Sequence, residues 1–183
     1  MGYDTAIKKA WDEFCKLKAD KQLTVKFLAD EYAVDAGKRS VFSVSCNVPA
    51  KDYIAIILLH YLIQSLNSRI QRAGKWVSFK ELSGIEGYQS AFRNRVIEPI
   101  IRKYGKNPQS LYNVLDRLSG VKHEGADASI VIEPLAGVTV LIEVWKADDE
   151  FSAEANFLFD KSITSFFCIE DIIVFSEIIV HSI

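Results

Sequence analysis

The sequence predicts an α+β fold in which helices pack around a small, mainly antiparallel sheet. Three observations predict it. Apolar residues recur at helical spacing through most of the first two thirds of the chain. Two β-branched runs, 126–133 and 138–146, flank the turn residues Pro134 and Gly137 and read as a hairpin. Hydrophobic residues make up 49% and charged residues 25% of the 183 positions, and eleven Phe, seven Tyr and three Trp supply a core, so disorder is excluded as the dominant state.

The first helix is carried by Ala6, Ile7, Ala10, Trp11, Phe14 and Leu17, with Lys8, Lys9, Asp12, Glu13 and Lys16 on the other face. A second helix is expected over 24–34, where Gly37 follows to break the pattern. The segment 39–46 then favours a strand through Val41, Phe42 and Val44. Pro49 and Asp52 open a helix that runs to about Leu66 and is apolar almost all round, which places it at the centre of the fold. A short extended piece is expected over 76–82, closed by Ser83 and Gly84.

Another helix begins near Tyr88 and turns Tyr88, Ala91, Phe92 and Val96 inward. Pro99 has to kink or restart it, because proline lacks the helical donor and clashes one turn back. Gly105 stops it. Asn107 and Pro108 start a further helix with the stripe Leu111, Val114, Leu115 and Leu118, ended by Gly120. After the hairpin comes an acid-rich loop, then a last helix with the stripe Ile169, Ile172, Ile173, Ser176, Ile179 and Val180. No linker, internal repeat or low-complexity tract divides the chain, so one domain over 1–183 is expected.

The apolar run 53–63 is interrupted by His60 and falls short of the roughly 20 residues that a membrane span needs. Lys, Asp and Glu are mixed through the first twenty residues, unlike a secretory signal. Cys15, Cys46 and Cys168 are scattered and form no CxxC pair, which excludes zinc-ribbon and iron–sulfur spacings and leaves buried or inert thiols as the expectation. Together these features suggest a soluble protein of a reducing, cytoplasmic compartment with no membrane partner.

Charge is distributed unevenly. Residues 1–60 hold nine Lys/Arg against eight Asp/Glu, net +1; residues 61–122 hold eleven against four, net +7; residues 123–183 hold two against twelve, net −10. Either the last two regions compensate each other within the fold, or they form opposed surfaces for charged partners. On the basic side, Arg93, Arg95, Arg102 and Lys103 form the candidate anion-binding set. Tyr88, Phe92 and Tyr104 interleave with them, a mix that suits base stacking plus phosphate contact. They also match the helix's inward stripe, however, so core packing is the expectation and nucleic acid is not the expected partner.

On the acidic side, Asp127, Glu143, Asp148, Asp149 and Glu150 form the candidate site, near Glu133, Glu154 and Asp160. Period two puts Asp127, Ser129, Val131 and Glu133 on one strand face and Leu141, Glu143 and Trp145 on one face of the next. Converging carboxylates there would suit a hard divalent cation. Metal-dependent nucleases place Glu-x-Lys on such a strand; here Lys146 comes one position late and points away from Glu143. Glu170 and Asp171 fit the first turn of the last helix through its dipole. His60 reads as a hydrogen-bonded core residue. No HExxH, GxGxxG, GxxxxGK[ST] or GxSxG occurs, which removes support for zincin, dinucleotide, P-loop and hydrolase-elbow chemistry.

Five stretches, GKWVSFKEL (74–82), GYQSAFRNRVIEPII (87–101), ADASIVIEPL (126–135), EVWKADDEF (143–151) and NFLFD (156–160), together resemble domain-of-unknown-function family 3786 in order and spacing. The resemblance implies a protein of anaerobic bacteria or archaea, some relatives carrying an iron–sulfur segment beside the domain. Three scattered cysteines cannot supply a four-cysteine cluster, so no cluster is carried over, and the resemblance transfers no catalytic residues and no cofactor. The leading functional expectation is a non-catalytic binding or accessory module in anaerobic metabolism. A divalent-metal-dependent enzyme using the hairpin and loop carboxylates is the first alternative, and a structural interaction protein the second.

Overall fold

The structure, a computed structural model, describes residues 3–17 and 22–183. Helix α1 (Asp4–Phe14) buries Ala10, Trp11 and Phe14. Strands β1 (Gln22–Phe27), β2 (Asp30–Asp35), β3 (Ser40–Ser43) and β4 (Val48–Pro49) follow as a four-stranded antiparallel meander. The helix expected over 24–34 is therefore a hairpin, in register from Gln22 opposite Asp35 to Phe27 opposite Asp30. Val25, Phe27, Tyr32 and Val34 are buried while Lys26 and Glu31 are exposed, a period of two rather than 3.6. The turn at Leu28 and Ala29 lacks the usual Gly or Asn, and Leu28 itself takes a positive φ of 56°. Its conformation is held from outside: the Leu28 N–H donates to Pro134 O at 2.8 Å.

Helix α2 (Asp52–Asn67) is central, as its all-round apolarity predicts: Leu58 and Leu59 are fully buried and Ile57 nearly so. The second sheet is five-stranded and antiparallel, in the order β5-β9-β8-β7-β6. Its members are β5 (Trp76–Ser78), β6 (Val121–Lys122), β7 (Ala128–Leu135), β8 (Val138–Trp145) and β9 (Glu154–Asp160). The hairpin at 126–146 is thus present, with a tighter turn than expected. β7 runs on through Pro134 to Leu135 by an irregularity after Ile132, and Gly137 takes a φ of 81°. β9 lies inside what reads as loop, yet Ala155, Phe157 and Phe159 are buried in strict alternation with Glu154 and Asn156, the two Phe rings packed against Phe92.

Pro99 neither ends nor splits its helix. The helix over 89–104 comprises α3 (Gln89–Phe92), a π-helical stretch (Arg93–Ile97) and α4 (Glu98–Tyr104). In the π-turn the Glu98 N–H donates to Arg93 O, and the altered pairing just before Pro99 accommodates its missing donor. The helix expected after Pro108 is mostly 3₁₀ (Pro108–Val114), with one α-turn, α5 (Leu115–Leu118), ended by Ser119 at a φ of 52°. After α6 (Ile163–Phe166) the chain closes with α7 (Ile169–Ser182), whose buried Ile172, Ile173, Ser176, Ile179 and Val180 match the expected stripe. One hydrophobic cluster joins both sheets with α1, α2 and α7. Among the described residues no helix is long and apolar enough to cross a membrane.

Candidate functional site

The acidic candidates lie along one side of the second sheet without converging. Glu143 faces Ser129 directly in the register, so Asp127 lies one step along the same face. Each carboxylate is nevertheless engaged separately. Asp127 accepts the Lys146 N–H at 2.7 Å, and Glu143 accepts Asn156 Nδ2 at 3.1 Å. Glu133 accepts the Gly137 N–H and an Arg72 guanidinium at 2.7 Å. Asp148 accepts the N–H groups of Phe151 and Glu150, and those bonds hold its carboxyl below the usual range. Asp149 and Glu150 point to solvent. Among the described residues no three His, Cys, Asp or Glu side chains are placed to hold one metal ion.

The basic candidates diverge. Arg93 and Arg95 are two residues apart on a helix, a spacing that turns side chains to different faces. Arg93 pairs with Glu98 at 2.8 Å, and Arg95 pairs with Glu177 of α7. Arg102 and Lys103 line a separate hollow by Ile100, His181 and Ile183. Of the interleaved aromatics, Phe92 and Tyr104 are buried in the core, and Tyr88 is half-buried with its hydroxyl donating to Glu170. The charge split is partly compensated, since Arg72–Glu133 and Arg95–Glu177 join the basic middle to the acidic last third. Among the described residues no basic side chain pairs with Asp148, Asp149 or Glu150.

A further cleft lies where the first sheet meets α7 and the start of α2, with a volume of about 760 Å³. Its apolar wall includes Phe27, Leu28, Ile54 and Val174. Four basic side chains, Lys51, Arg95, Arg117 and His181, reach it, against the acids Asp30 and Glu177. The π-turn at Arg93–Ile97 presents Arg95 to Glu177, and Arg117 donates to Ser182 O at the end of α7. Tyr3 and Tyr53 form an aromatic rim with ring centres 6.3 Å apart, and the Lys51 ammonium sits 5.9 Å from the Tyr53 ring.

Burial works to raise the Asp30 carboxyl, but the Ser43 hydroxyl and the N–H groups of Ser45 and Glu31 outweigh it and leave Asp30 below its ordinary value. Burial first, and the Asp30 charge second, push the Tyr32 phenol up to about 12. Tyr32 therefore stays a neutral hydrogen-bond donor at every physiological pH.

Of this cleft, sequence reasoning anticipates Arg95 alone. Asp30 and Tyr32 are hidden by the helical reading of 24–34. Lys51, Arg117 and His181 come from elements far apart in the chain, so no local spacing signals them. Cys46 also borders the cleft, and all three cysteines are exposed and unbridged rather than buried.

No curated protein and no solved structure matches this chain. A family model does: the domain of unknown function DUF3786 matches residues 12–182, and a match over nearly the whole length means that the chain belongs to that family.

Proposed function

We propose that the protein is a non-catalytic binding module whose ligand is a small organic anion with an aromatic or apolar body, held in the cleft between the first sheet and α7. One observation carries this reading. Lys51, Arg95, Arg117 and His181 reach a single concave, partly apolar space whose acids, among the described residues, are Asp30 and Glu177. Such a space offers charge to an anionic group and an apolar wall to the rest of the molecule. The Tyr3 and Tyr53 rings offer stacking at the mouth. Among the described residues no hydrogen bond joins Cys46 to His181, the thiol and imidazole on the lining, and that favours binding over chemistry. Exposed, unbridged thiols suit a reducing cytoplasm, and the anaerobic setting is the one that the family resemblance suggests.

The test is a thermal-shift panel of inorganic phosphate, nucleotides, corrinoids, aromatic carboxylates and divalent metals. A native-state ligand raises the melting temperature by mass action, by about 2.7 kcal/mol of stability at a hundredfold excess over Kd. Stabilisation by an organic anion, abolished in Arg117→Ala, is expected. Stabilisation by divalent metals alone would instead support the carboxylate-based enzyme.

A further inference from the structure

A second feature lies on the far side of the π-turn, at the edge of the five-stranded sheet. β5 is only three residues long and pairs with β9 only from Leu158 to Asp160. The chain then leaves the sheet in a 3₁₀ turn over Phe79–Glu81, fixed by the reciprocal Ser78–Glu81 cap. The first half of β9, Glu154 to Phe157, is thus paired with β8 on one side and with no strand on the other. Where β5 would continue there is a groove of about 590 Å³ between β9 and the helix over 89–104.

The direction of the unpaired groups follows from the ladder. In an antiparallel strand the N–H and C=O of one residue point to the same side, and successive residues alternate. The Lys161 N–H donates to Lys75 O, on the β5 side. Phe159, Phe157 and Ala155 therefore turn their backbone groups the same way. Phe159 meets Val77 of β5, whereas Ala155 and Phe157 face the groove. Among the described residues neither has a hydrogen-bond partner on that side. An open edge of this kind is normally covered or blunted, because it is a template for another strand.

From this geometry we infer that the groove is a site for β-strand addition, and that its occupant is an extended acidic peptide segment of another protein. The peptide lies alongside β9 in the place β5 vacates, exchanging main-chain hydrogen bonds with Ala155 and Phe157. Side chains pointing the same way as Phe157 fall on the floor made by Phe92, Ile97 and Ile101 and are apolar. The sign of the partner's charge comes from the rim. Lys80 is exposed and has no ion-pair partner among the described residues, and Arg93 stands on the opposite wall with only Glu98 as its partner. Glu98 offsets Arg93, and Glu154 is the one acid on the lining among the described residues, so the free cation there is Lys80, which favours an Asp or Glu beside the apolar residue at that end of the peptide. This site is independent of the anion cleft and uses different residues.

The experiment pans a random dodecapeptide phage library against the full chain and takes the most enriched peptide as the probe. Enrichment of alternating apolar residues flanked by Asp or Glu is expected. The synthetic peptide should shift the amide resonances of Ala155 and Phe157 and protect them from hydrogen exchange. Methylation of its two pairing backbone nitrogens should weaken binding about tenfold or more, the loss of two main-chain bonds. Lys80→Glu should weaken it and leave the melting temperature unchanged. Ala155→Pro removes one edge donor without touching the β8 ladder and should also weaken binding; if that variant misfolds, the methylated peptide still decides. The inference is overturned by the absence of any enriched peptide, by equal binding of the methylated form, or by resonance shifts elsewhere. Concentration-dependent dimerisation abolished by Ala155→Pro would likewise overturn it, because the edge would then serve a second copy of the chain.

Discussion

His60 Nδ1 on α2 and Asp171 Oδ2 on α7 lie 2.7 Å apart and tie the central helix to the last one. Neither side chain is freely solvated, with 30% and 12% of their surfaces exposed. The hydrogen bond to Asp171 comes first among the influences on His60, and with the Asp171 charge it outweighs burial and raises the imidazole above its ordinary value. A raised folded-state value gives a definite sign. The contribution to stability is fully present below the unfolded value of about 6.5 and is lost as pH rises through the higher folded one. Melting temperature should therefore fall across that window in the wild type, and the fall should flatten in His60→Gln. Asp171→Ala, which strands a half-buried imidazole, should cost about 1–3 kcal/mol in urea unfolding at pH 6. An identical pH profile in His60→Gln would show that the pair is not linked to folding.

Asp160 does for the second sheet what Asp171 does for the helices. It is 4% exposed and accepts the N–H groups of Ala73, Gly74 and Ser162 at 2.7 to 2.9 Å, pinning the segment before β5 to the end of β9. Burial pushes its carboxyl up, but the bonds from Ser162, Ala73 and Gly74 together prevail and hold it below the usual carboxylate range. The sign is opposite to that of His60. This contribution is present above about pH 3.9, the unfolded value, and is lost as pH falls through the folded one. Asp160→Ala should cost about 3 kcal/mol by leaving three donors without their acceptor. Hydrogen exchange should show the loss first at Ala73 and Gly74.

How far the sequence carries depends on where the determining contact lies. α2 is readable because its own residues are apolar on every side, and the β7–β8 hairpin because β-branched runs flank Gly137. The β1–β2 hairpin is not readable. Its turn contains Leu28 and Ala29, and a donor–acceptor bond to Pro134, over a hundred residues away, holds it. β9 is obscured for a related reason: its alternation begins shortly after a run of acids, and its place in the sheet comes from β8 on one side and the short β5 on the other. Spacing assigns Asp127 and Glu143 each to a face of its own strand but leaves the register open; the register sets Glu143 opposite Ser129, and Lys146 and Asn156 engage the two carboxylates separately. The π-turn that carries both Arg93 and Arg95 has no local signature beyond Pro99.

Gly120 is required for a reason other than the one its position suggests. Ser119, not Gly120, takes the left-handed conformation that ends α5. A Cβ on Gly120 would lie 2.7 Å from Ile132 Cγ2, 2.9 Å from Leu115 Cδ2 and 3.1 Å from Val131 O. Glycine there permits close approach of the chain to β7, and that backbone oxygen cannot move aside as a side chain could. Gly120→Ala should cost about 1–3 kcal/mol through overpacking, whereas an ordinary helix-end Gly→Ala change is nearly neutral or stabilising. Chemical denaturation of the two proteins measures the difference. A variant as stable as wild type would mean that β7 shifts freely at Ile132.

The divergence of the four basic residues makes a prediction that a single basic surface would not. Arg95 alone among them reaches the cleft; Arg93 borders the sheet-edge groove, and Arg102 and Lys103 line a third hollow. Arg95→Ser should thus reduce stabilisation by an organic anion severalfold, while the triple replacement of Arg93, Arg102 and Lys103 by Ser leaves it unchanged. Loss of the partly exposed Arg95–Glu177 pair should cost only about 0–1 kcal/mol, so the effect on binding is separable from folding. Glu177 supplies the sharper test, because it competes with any bound anion for Arg95. Glu177→Gln removes a negative charge from the cleft and frees the guanidinium, so anion affinity should rise and become more sensitive to salt. Titration calorimetry at two ionic strengths reads both changes. Should Glu177→Gln leave affinity unaltered while Arg95→Ser abolishes it, Arg95 acts by holding the end of α7 rather than by meeting the ligand. The anion would then have to be held by Lys51 and Arg117.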